Sequence, residues 1–346
     1  MSNKPKPVIK QVKPEGILHP IGNQLDDYYD TLGDGSRAFE GLETGVSSFD
    51  ELIGGLNRFV LVAGQAGVGK TTLALQLSLG IIDKEQIPVI YYSFEMSKRD
   101  MFTMAVQNMH RKLTRADIVL RGRQPQTKLT DNGKTDPIKD TLAQLNSKYG
   151  SLLYILDSSE GVPTTTAIKE QIEQVKATHK ADNILVVIDS LQDIVPTGQN
   201  QVQAEGQVAQ ELVQIQHATN ATLLTINQRS KEGVKAGDGY SSVKGSVDFM
   251  HKPTTVINMI GGKDALRLAK DKKVIEGSEY DRIKEQLNNQ TKDPSMPYPV
   301  MLTVLKGRNS GYGNIPMQYY GAYRYYDEGR SAIFRPLYDA FDKLDA

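Results

Sequence analysis

Residues 64–72, GQAGVGKTT, separate an apolar run at 59–63 from a leucine-rich stretch at 73–79. The stretch fits the pattern G-x-x-x-x-G-K-[ST] with Gly64, Gly69, Lys70 and Thr71. Glycines let the backbone turn tightly and point its N–H groups inward, and a helix beginning here adds the positive end of its dipole. The stretch therefore predicts a strand, an anion-binding loop and a helix in succession.

The loop residues have distinct expected roles in holding a nucleoside triphosphate. Lys70 can reach the β- and γ-phosphates, and the hydroxyl of Thr71 can bind Mg²⁺. We expect the nucleotide to contact Gly64, Gln65, Ala66, Gly67, Val68, Gly69, Lys70, Thr71 and Thr72. An incidental glycine-rich turn is the alternative, and the strand and helix predicted on either side argue against it.

The bulk composition limits the class of protein. The 346 residues can form about two average domains, or one large α/β domain with insertions. Lys+Arg and Asp+Glu both number 41, which argues against a uniformly basic surface but allows a local basic channel. No cysteine is present, so disulfides and thiolate metal sites are excluded. The first residues lack a signal-peptide apolar segment, and no apolar run approaches the roughly 20 residues of a membrane span. We expect a soluble, cytoplasmic protein without a membrane partner.

Short apolar runs alternate with amphipathic stretches from Gly41 onward. The predicted strands are 59–63, 89–94, 152–156, 184–188, 221–226, 255–260 and 299–305. The predicted helices are 70–82, 98–112, 165–179 and 203–218. Strands that are apolar throughout and alternate with helices indicate a mostly parallel twisted sheet covered on both faces. The predicted fold class is therefore α/β.

Two acidic residues follow predicted strands and are candidates for the chemistry. Asp189 ends the strand at 184–188, where a carboxylate beside the phosphate loop can anchor Mg²⁺. Asp193 is its competitor, but it lies beyond the strand and is expected in a turn. Glu95 follows the strand at 89–94 and suits a general base that deprotonates the attacking water. The alternative for Glu95 is a helix cap, a role for which Ser97 is better suited.

Several motifs in this order resemble the RecA-fold motor domain of DnaB-type replicative helicases. They are GLETGVSSFDELIGGL (41–56), the phosphate loop, YYSFEMS (91–97), ILVVIDSLQDI (184–194), ATLLTINQRS (221–230), KGSVDFM (244–250) and VLKGRNSGYGNIPMQY (304–319). The resemblance covers roughly residues 41–330 and implies a RecA-like P-loop core with a C-terminal β-hairpin region. It also implies ATP and Mg²⁺ as cofactors and a DNA-stimulated ATP hydrolase that moves on single-stranded DNA.

The resemblance implies further site residues. Gln228 would sense the γ-phosphate. Arg308 and its partner Lys306 would reach the γ-phosphate of a neighbouring subunit, where an arginine contributes about 10³–10⁵ in rate. Such a role implies a homo-oligomeric ring, most often a hexamer in this family, with primase or a loader as further partners. From the residues alone, Lys306 and Arg308 are better interpreted as solvated residues of a hairpin, and the catalytic role comes only from the resemblance.

Loops pointing into such a ring would hold DNA. One is 196–207, and the other is 229–246, which carries Arg229, Lys231, Lys235 and Lys244. Positive side chains on a Gly/Ser-rich backbone can follow phosphates without reading sequence, although ordinary solvated loops are the alternative for any one lysine. The tyrosine cluster QYYGAYRYY (318–326) alternates as strand residues do, so we interpret it as core or edge packing rather than a base-stacking platform.

Two segments depart from the family pattern. Residues 1–40 are rich in Lys and Pro and then acidic, which predicts a flexible arm or a segment that docks on a neighbouring subunit. They do not resemble the family's N-terminal helical collar, so we expect a chain without it. Within the RecA-like domain at 41–346, residues 263–297 form a charged insert, predicted to be helical and solvated.

Two other classes of function compete with a helicase. A RecA-, RadA- or KaiC-like ATPase would bind DNA or protein without unwinding, and the phosphate-loop region fits those relatives nearly as well. The combination of SFEMS and LKGRN favours the helicase. A non-enzymatic module that keeps nucleotide as a structural brace is the third reading, and the intact set of candidate acids and cations argues against it.

Overall fold

The computed structural model describes residues 39–120, 136–194, 201–228, 248–308 and 311–344. Residues 1–38 of the predicted arm at 1–40 therefore lie outside the described residues. So do Arg229, Lys231, Lys235 and Lys244, the four predicted DNA contacts. None of the helices in the described ranges is both long and apolar enough to span a membrane.

The described residues form one nine-stranded sheet around which the helices are arranged. Its strands are β1 (Phe59–Gly64), β2 (Val89–Ser93), β3 (Leu153–Asp157), β4 (Leu185–Asp189), β5 (Thr222–Gln228), β6 (Thr255–Gly261), β7 (Tyr298–Gly307), β8 (Asn314–Tyr320) and β9 (Tyr325–Glu328). The spatial order is β3-β2-β4-β5-β1-β6-β7-β8-β9. The first six strands in this order are parallel, and β7, β8 and β9 continue the sheet as antiparallel strands.

Helices of the described part connect and cover these strands. They are α1 (Ser47–Ile53), α2 (Lys70–Glu85), α3 (Lys98–His110), α4 (Arg115–Val119), α5 (Pro137–Tyr149), α6 (Thr165–His179), α7 (Gln201–Thr219), α8 (Asp248–His251), α9 (Gly262–Asp271), α10 (Gly277–Lys292) and α11 (Arg335–Leu344). All seven predicted strands and all four predicted helices are present, with ends shifted by a few residues. The predicted α/β class with a C-terminal antiparallel region is confirmed.

Alternation along the strands decides which helices each face contacts. Within β4, Leu185 and Val187 pack with α2 and α3, whereas Val186 and Ile188 pack with α6 and α7. Every residue of β1, β2 and β4 is buried, as expected for parallel strands covered on both sides. Because these strands are packed on both faces, the residues at their ends are positioned by the sheet.

The charged insert is helical, as predicted, but it is not merely solvated. One face of α9 and α10 is buried, including Leu266, Ile283 and Leu287. These side chains form a cluster with Phe334 and Phe341 from the C-terminal segment and α11. The charges that suggested a surface insert lie on the other helix faces, since both helices are amphipathic.

Candidate active site

The candidate site residues lie close together because each stands at or just after the carboxyl end of a parallel strand, and these ends share one edge of the sheet. The phosphate loop follows β1, Glu95 follows β2, and Asp189 and Gln228 are the last residues of β4 and β5. The register places Gly64 beside Gln228 and Ser93 beside Asp189. The carboxyl end of a parallel sheet is where ligands bind in open α/β folds.

The phosphate loop adopts a conformation that requires glycine. Gly67 and Gly69 have φ values of 80° and 94°, in the left-handed region that side chains rarely adopt. Gly69 is the N-cap of α2, so the helix begins at Lys70 and directs its first N–H groups into the loop. A Cβ atom at Gly69 would lie 2.4 Å from the Tyr326 hydroxyl, so the position is restricted by space as well.

Lys70 lies inside the loop with its side chain held by backbone. Its ammonium donates to the carbonyls of Gly64 at 3.0 Å and Gln65 at 2.8 Å. Burial lowers its pKa, and the nearby carboxylates of Asp189 and Glu95 partly oppose that shift. The side chain therefore stands where a triphosphate in the loop would meet a positive charge.

Asp189 is a buried carboxylate beside the loop. It is 2% exposed, and the Tyr91 hydroxyl donates to its Oδ2 at 3.3 Å. Burial raises its pKa to about 6, and the hydrogen bond with the Thr71 side chain is the main opposing effect. A carboxylate and a hydroxyl are oxygen donors of the kind Mg²⁺ prefers. Asp193 lies in the following 3₁₀ turn and accepts from the Ser190 hydroxyl at 2.8 Å.

The oxygen donors fit a metal that also takes ligands from the nucleotide. Within the described ranges, no group of three or more His, Cys, Asp or Glu side chains could hold a metal ion by itself. Mg²⁺ is commonly held by one or two carboxylates together with substrate phosphates and water. The residues that would hold it here are Asp189 and Thr71.

Glu95 is exposed at the edge of the same site. Its Oε1 accepts from the Gln228 amide at 2.5 Å, which joins the ends of β2 and β5. The helix α3 is capped instead by Ser97, whose side chain accepts from the backbone N–H of Asp100. Because Ser97 performs the capping, Glu95 is available to contact a water molecule or phosphate.

The C-terminal tyrosines support the loop from behind. Tyr326 is 1% exposed, and its hydroxyl donates to the carbonyl of Val68. Its ring stacks on Tyr319 with centroids 4.8 Å apart. Gln76 of α2 also exchanges two hydrogen bonds with the Tyr326 backbone. The packing predicted for this cluster is confirmed, and its contact with the phosphate loop was not foreseen.

Arg308 lies at the opposite end of the sheet from the loop. Its backbone N–H donates to the carbonyl of Thr254, just before β6 begins. Gly64 of the loop pairs with Met259 of β6. Met259 lies five residues beyond Thr254, which is roughly 17 Å along the strand at about 3.3 Å per residue. The side chain is exposed and, within the described part of the chain, makes no ion pair.

Lys306 is engaged within its own chain. Its ammonium donates to the carbonyls of His251 at 2.5 Å, the last residue of helix α8, and of Pro253 at 2.7 Å, just after that helix. Burial lowers its pKa, and the positive charge of Arg308 adds to that effect. Its role toward a neighbouring nucleotide remains a prediction.

Two polar groups near the site, Tyr91 and Asp157, were not among the predicted site residues. Tyr91 lies in the middle of the apolar strand β2, and its hydroxyl donates to Asp189. The sequence pattern predicts only that Tyr91 is buried, and does not predict this hydrogen bond. Asp157, at the end of β3, accepts from the backbone N–H groups of Lys98 and Ser159. The hydrogen bond from the Ser159 hydroxyl lowers the pKa of Asp157 most, and the two backbone N–H groups add to this effect. Its place at a strand end, like that of Asp189, is the signal that could have identified it.

Residues 201–207 of the first predicted DNA loop begin helix α7. The rest of that stretch and the second loop lie outside the described residues.

The fold and the site together define a RecA-like P-loop domain, in which a parallel sheet carries a phosphate loop, a buried aspartate and a glutamate at one edge. The family model described as the DnaB-like helicase C-terminal domain matches residues 41–328. The chain therefore belongs to the DnaB-like helicase C-terminal domain family.

Curated relatives agree with this assignment at low sequence identity. The replicative DNA helicase DnaB of a Synechocystis strain is 22% identical over 232 residues, covering 64% of this chain and 24% of the relative. The probable replicative DNA helicase of Trieres chinensis is 26% identical over 197 residues, covering 55% and 40%. The chain thus spans about a quarter to two fifths of the length of these relatives.

Solved structures show the same fold. A solved ATPase domain superimposes with a TM-score of 0.69 and 16% identity, covering 90% of this chain and 99% of its own. A DnaB-like replicative helicase, whose structure was determined with its interactions with primase, superimposes with a TM-score of 0.67 and 16% identity. That match covers 91% of this chain and 68% of the other.

Proposed function

We propose that the protein is a ring-forming, ATP-dependent DNA helicase that hydrolyses ATP at subunit interfaces and moves on single-stranded DNA. The observation that carries the proposal is the separation of Arg308 from the loop of its own subunit. The loop, Glu95 and Asp189 lie at the carboxyl end of the parallel strands, whereas Arg308 lies near their other end. A site with this division is complete only when a second copy supplies the arginine.

Each residue has a proposed part in hydrolysis. The loop N–H groups and Lys70 bind and orient the β- and γ-phosphates. Thr71 and Asp189 would hold Mg²⁺, and the bound ion would supply positive charge beside the phosphates. Glu95 accepts a proton from the attacking water. Gln228 holds the Glu95 carboxylate at 2.5 Å and shares its position at the edge of the site.

Coupling to DNA follows from the same arrangement. Gln228 ends β5 and directly precedes 229–247 in the sequence, so a change at the γ-phosphate that moves Gln228 would be passed to this segment. The lysines and the arginine of that segment are our candidates for phosphate contacts with DNA. Separating duplex DNA requires about 1.4 kcal/mol per base-pair step, which a nucleotide-driven ring can supply. We include primase or a loader among the partners to be tested.

The test measures ATP hydrolysis with and without single-stranded DNA, alongside the mass of the oligomer. We expect a ring that hydrolyses ATP faster with DNA and displaces a strand from a forked substrate. Lys70→Ala should abolish both activities. Lys84→Ala is the matched control on the same helix α2, since Lys84 is exposed and pairs with Glu43 at 2.7 Å.

Two results would contradict the proposal. One is ATP hydrolysis without strand displacement under conditions where the ring is shown to assemble. The other is the formation of open filaments on single-stranded DNA, which would favour a RecA- or RadA-like function.

A further inference from the structure

The hydroxyl of Tyr326 makes a hydrogen bond to the backbone of the phosphate loop. It donates to the carbonyl of Val68 at 2.5 Å, and both residues are buried. Burial raises the pKa of Tyr326 well above its ordinary value, so the hydroxyl keeps its proton and remains a donor. The carbonyl of Val68 is therefore held toward the buried hairpin and away from the open side of the loop.

The direction of the Val68 carbonyl sets the direction of the next N–H group. The peptide bond between Val68 and Gly69 is trans, and in a planar trans peptide the C=O and N–H bonds point in opposite directions. Because the carbonyl points to Tyr326, the N–H of Gly69 points away from the hairpin. Gly69 is the N-cap of α2, so this N–H lies at a helix end that favours anions.

Glycine at position 69 does not fix this peptide orientation by itself. Gly69 has a φ of 94°, and glycine adopts positive and negative φ values about equally readily. Rotation of the Val68–Gly69 peptide unit would exchange its two polar groups, and the carbonyl oxygen would then face the anion site. A carbonyl oxygen repels a phosphate, whereas an N–H group binds it. The loop therefore depends on a contact outside its own sequence to present a donor here.

Tyr326 is itself held against the helix that begins at the loop. Its backbone N–H donates to Gln76 Oε1 at 2.8 Å, and the Gln76 amide nitrogen donates to its carbonyl at 2.9 Å. Its ring stacks on that of Tyr319, whose hydroxyl accepts from Arg324 at 3.0 Å. A Cβ atom at Gly69 would lie 2.4 Å from the Tyr326 hydroxyl. These contacts fix the hydroxyl relative to the first turn of α2.

We propose that Tyr326 is a positioning residue for phosphate binding, whose hydroxyl holds the Val68–Gly69 peptide so that the Gly69 N–H faces a phosphate of the nucleotide. This inference rests on the proposed ATPase function and deepens it. Tyr326 acts through the loop backbone and does not touch the base or the ribose. Its loss should therefore weaken every ligand that places a diphosphate in the loop by the same factor.

The test measures the dissociation constants of ADP and of inorganic pyrophosphate, with Mg²⁺ present, in competition against a fluorescent ADP analogue. Tyr326→Phe keeps the ring and removes the hydroxyl. It should weaken both ligands by about tenfold, which is the order expected for the loss of one hydrogen bond to a charged group. Equal factors place the effect at the phosphates, since pyrophosphate has no base or ribose.

Tyr338→Phe is the matched control because it removes a similar hydrogen bond outside the phosphate loop. Tyr338 is also 1% exposed, and its hydroxyl donates to the carbonyl of Met317 at 3.0 Å. Both variants should lower the midpoint of thermal unfolding by similar amounts, but Tyr338→Phe should keep the wild-type dissociation constants. A residue that only stabilises the fold would affect ligand binding no more than Tyr338 does.

Gln76→Met is a second variant, since it keeps the hydroxyl and removes the two hydrogen bonds between the Gln76 side chain and the Tyr326 backbone. It should weaken ADP and pyrophosphate by a common factor smaller than that of Tyr326→Phe. If Tyr326→Phe does not fold, the dissociation constants of Gln76→Met decide by the same criteria.

The outcomes separate this inference from the proposed function. If Lys70-dependent binding persists but Tyr326→Phe loses no more affinity than Tyr338→Phe, the inference about Tyr326 alone is overturned. The same holds if ADP is weakened and pyrophosphate is not. If the wild-type protein binds no nucleotide, or its binding does not depend on Lys70, the proposed function fails and the inference fails with it.

Discussion

Mixing two inactive variants tests whether Arg308 acts on the nucleotide of a neighbouring subunit. Arg308→Ala keeps an intact phosphate loop, and Lys70→Ala keeps an intact arginine. Arg308 is roughly 17 Å along the strand direction from the level of Gly64, too far for its side chain to reach its own loop. Each variant alone should therefore be inactive, the first by a factor of about 10³–10⁵.

The fraction of ATP turnover that the mixture should recover can be calculated for a closed ring. In a random equal mixture, about half of the loops are intact and about half of their neighbours carry the arginine. About one quarter of the interfaces are then complete, and turnover should recover to about one quarter of the wild-type rate if the sites act independently.

Phosphate release at steady state is the assay, with the oligomer mass measured on the same mixture. Arg335→Ala is the control for loss of an exposed arginine, since the Arg335 side chain is 76% exposed, and it should remain active by itself. A mixture that is no more active than its two components, although mixed rings are shown to form, would refute action between subunits. Activity of Arg308→Ala by itself would refute the role of the arginine altogether.

Two further predictions concern the loop and its acid. Burial raises the Asp189 pKa from 3.8 to about 6, so the contribution of this carboxyl to the stability of the ligand-free protein should fall as pH rises from about 4 to 6. Asp189→Asn should remove this dependence in urea unfolding and raise stability at pH 7 by on the order of 3 kcal/mol, while abolishing Mg²⁺-dependent turnover. Gly69→Ala should weaken nucleotide binding and lower stability more than Gly67→Ala, because a Cβ at Gly69 meets the Tyr326 hydroxyl at 2.4 Å and one at Gly67 meets no described atom within 4 Å.

Each of these two predictions has a control variant at a comparable position. The exposed Asp193, changed to Asn, should leave both the pH dependence and the turnover nearly unchanged. An unfolding free energy of Asp189→Asn equal to that of the wild type at pH 7 would contradict the burial argument. Equal effects of alanine at Gly67 and Gly69, which share positive φ values, would mean that backbone strain rather than contact with Tyr326 limits the loop.

Most of the site could be located from the sequence because its signals are local. The glycines, Lys70 and Thr71 of the loop are contiguous, and strand-end acids such as Asp189 follow continuous apolar runs. A strand buried on both faces has few polar residues, so the first polar residue after it marks the functional edge. The structure accordingly places Asp189 and Glu95 near Lys70, where their charges affect its pKa.

Contacts between distant segments could not be predicted in this way. Tyr326 meets Val68 across 258 positions of sequence, and Tyr91 meets Asp189 across 98. The many charged residues of 263–297 led to the prediction of a solvated insert. The sequence gives the composition of these helices, but it does not show which helix face packs against another part of the chain. A cavity beside the phosphate loop belongs to the same class, since its walls come from the loop, the end of β6, the insert and the C-terminal hairpin.

By itself the sequence determined the α/β class, the phosphate loop and the acids at the strand ends, because each depends on neighbouring residues and on strand or helix periodicity. Only the tertiary structure decided that the hairpin tyrosines support the loop, that Lys306 contacts carbonyls at the end of α8, and that Arg308 lies far from its own loop. The physical reason is that strand order and the antiparallel return of β7 are set by burial and hydrogen bonding over the whole sheet. Those are properties that no short stretch of chain contains.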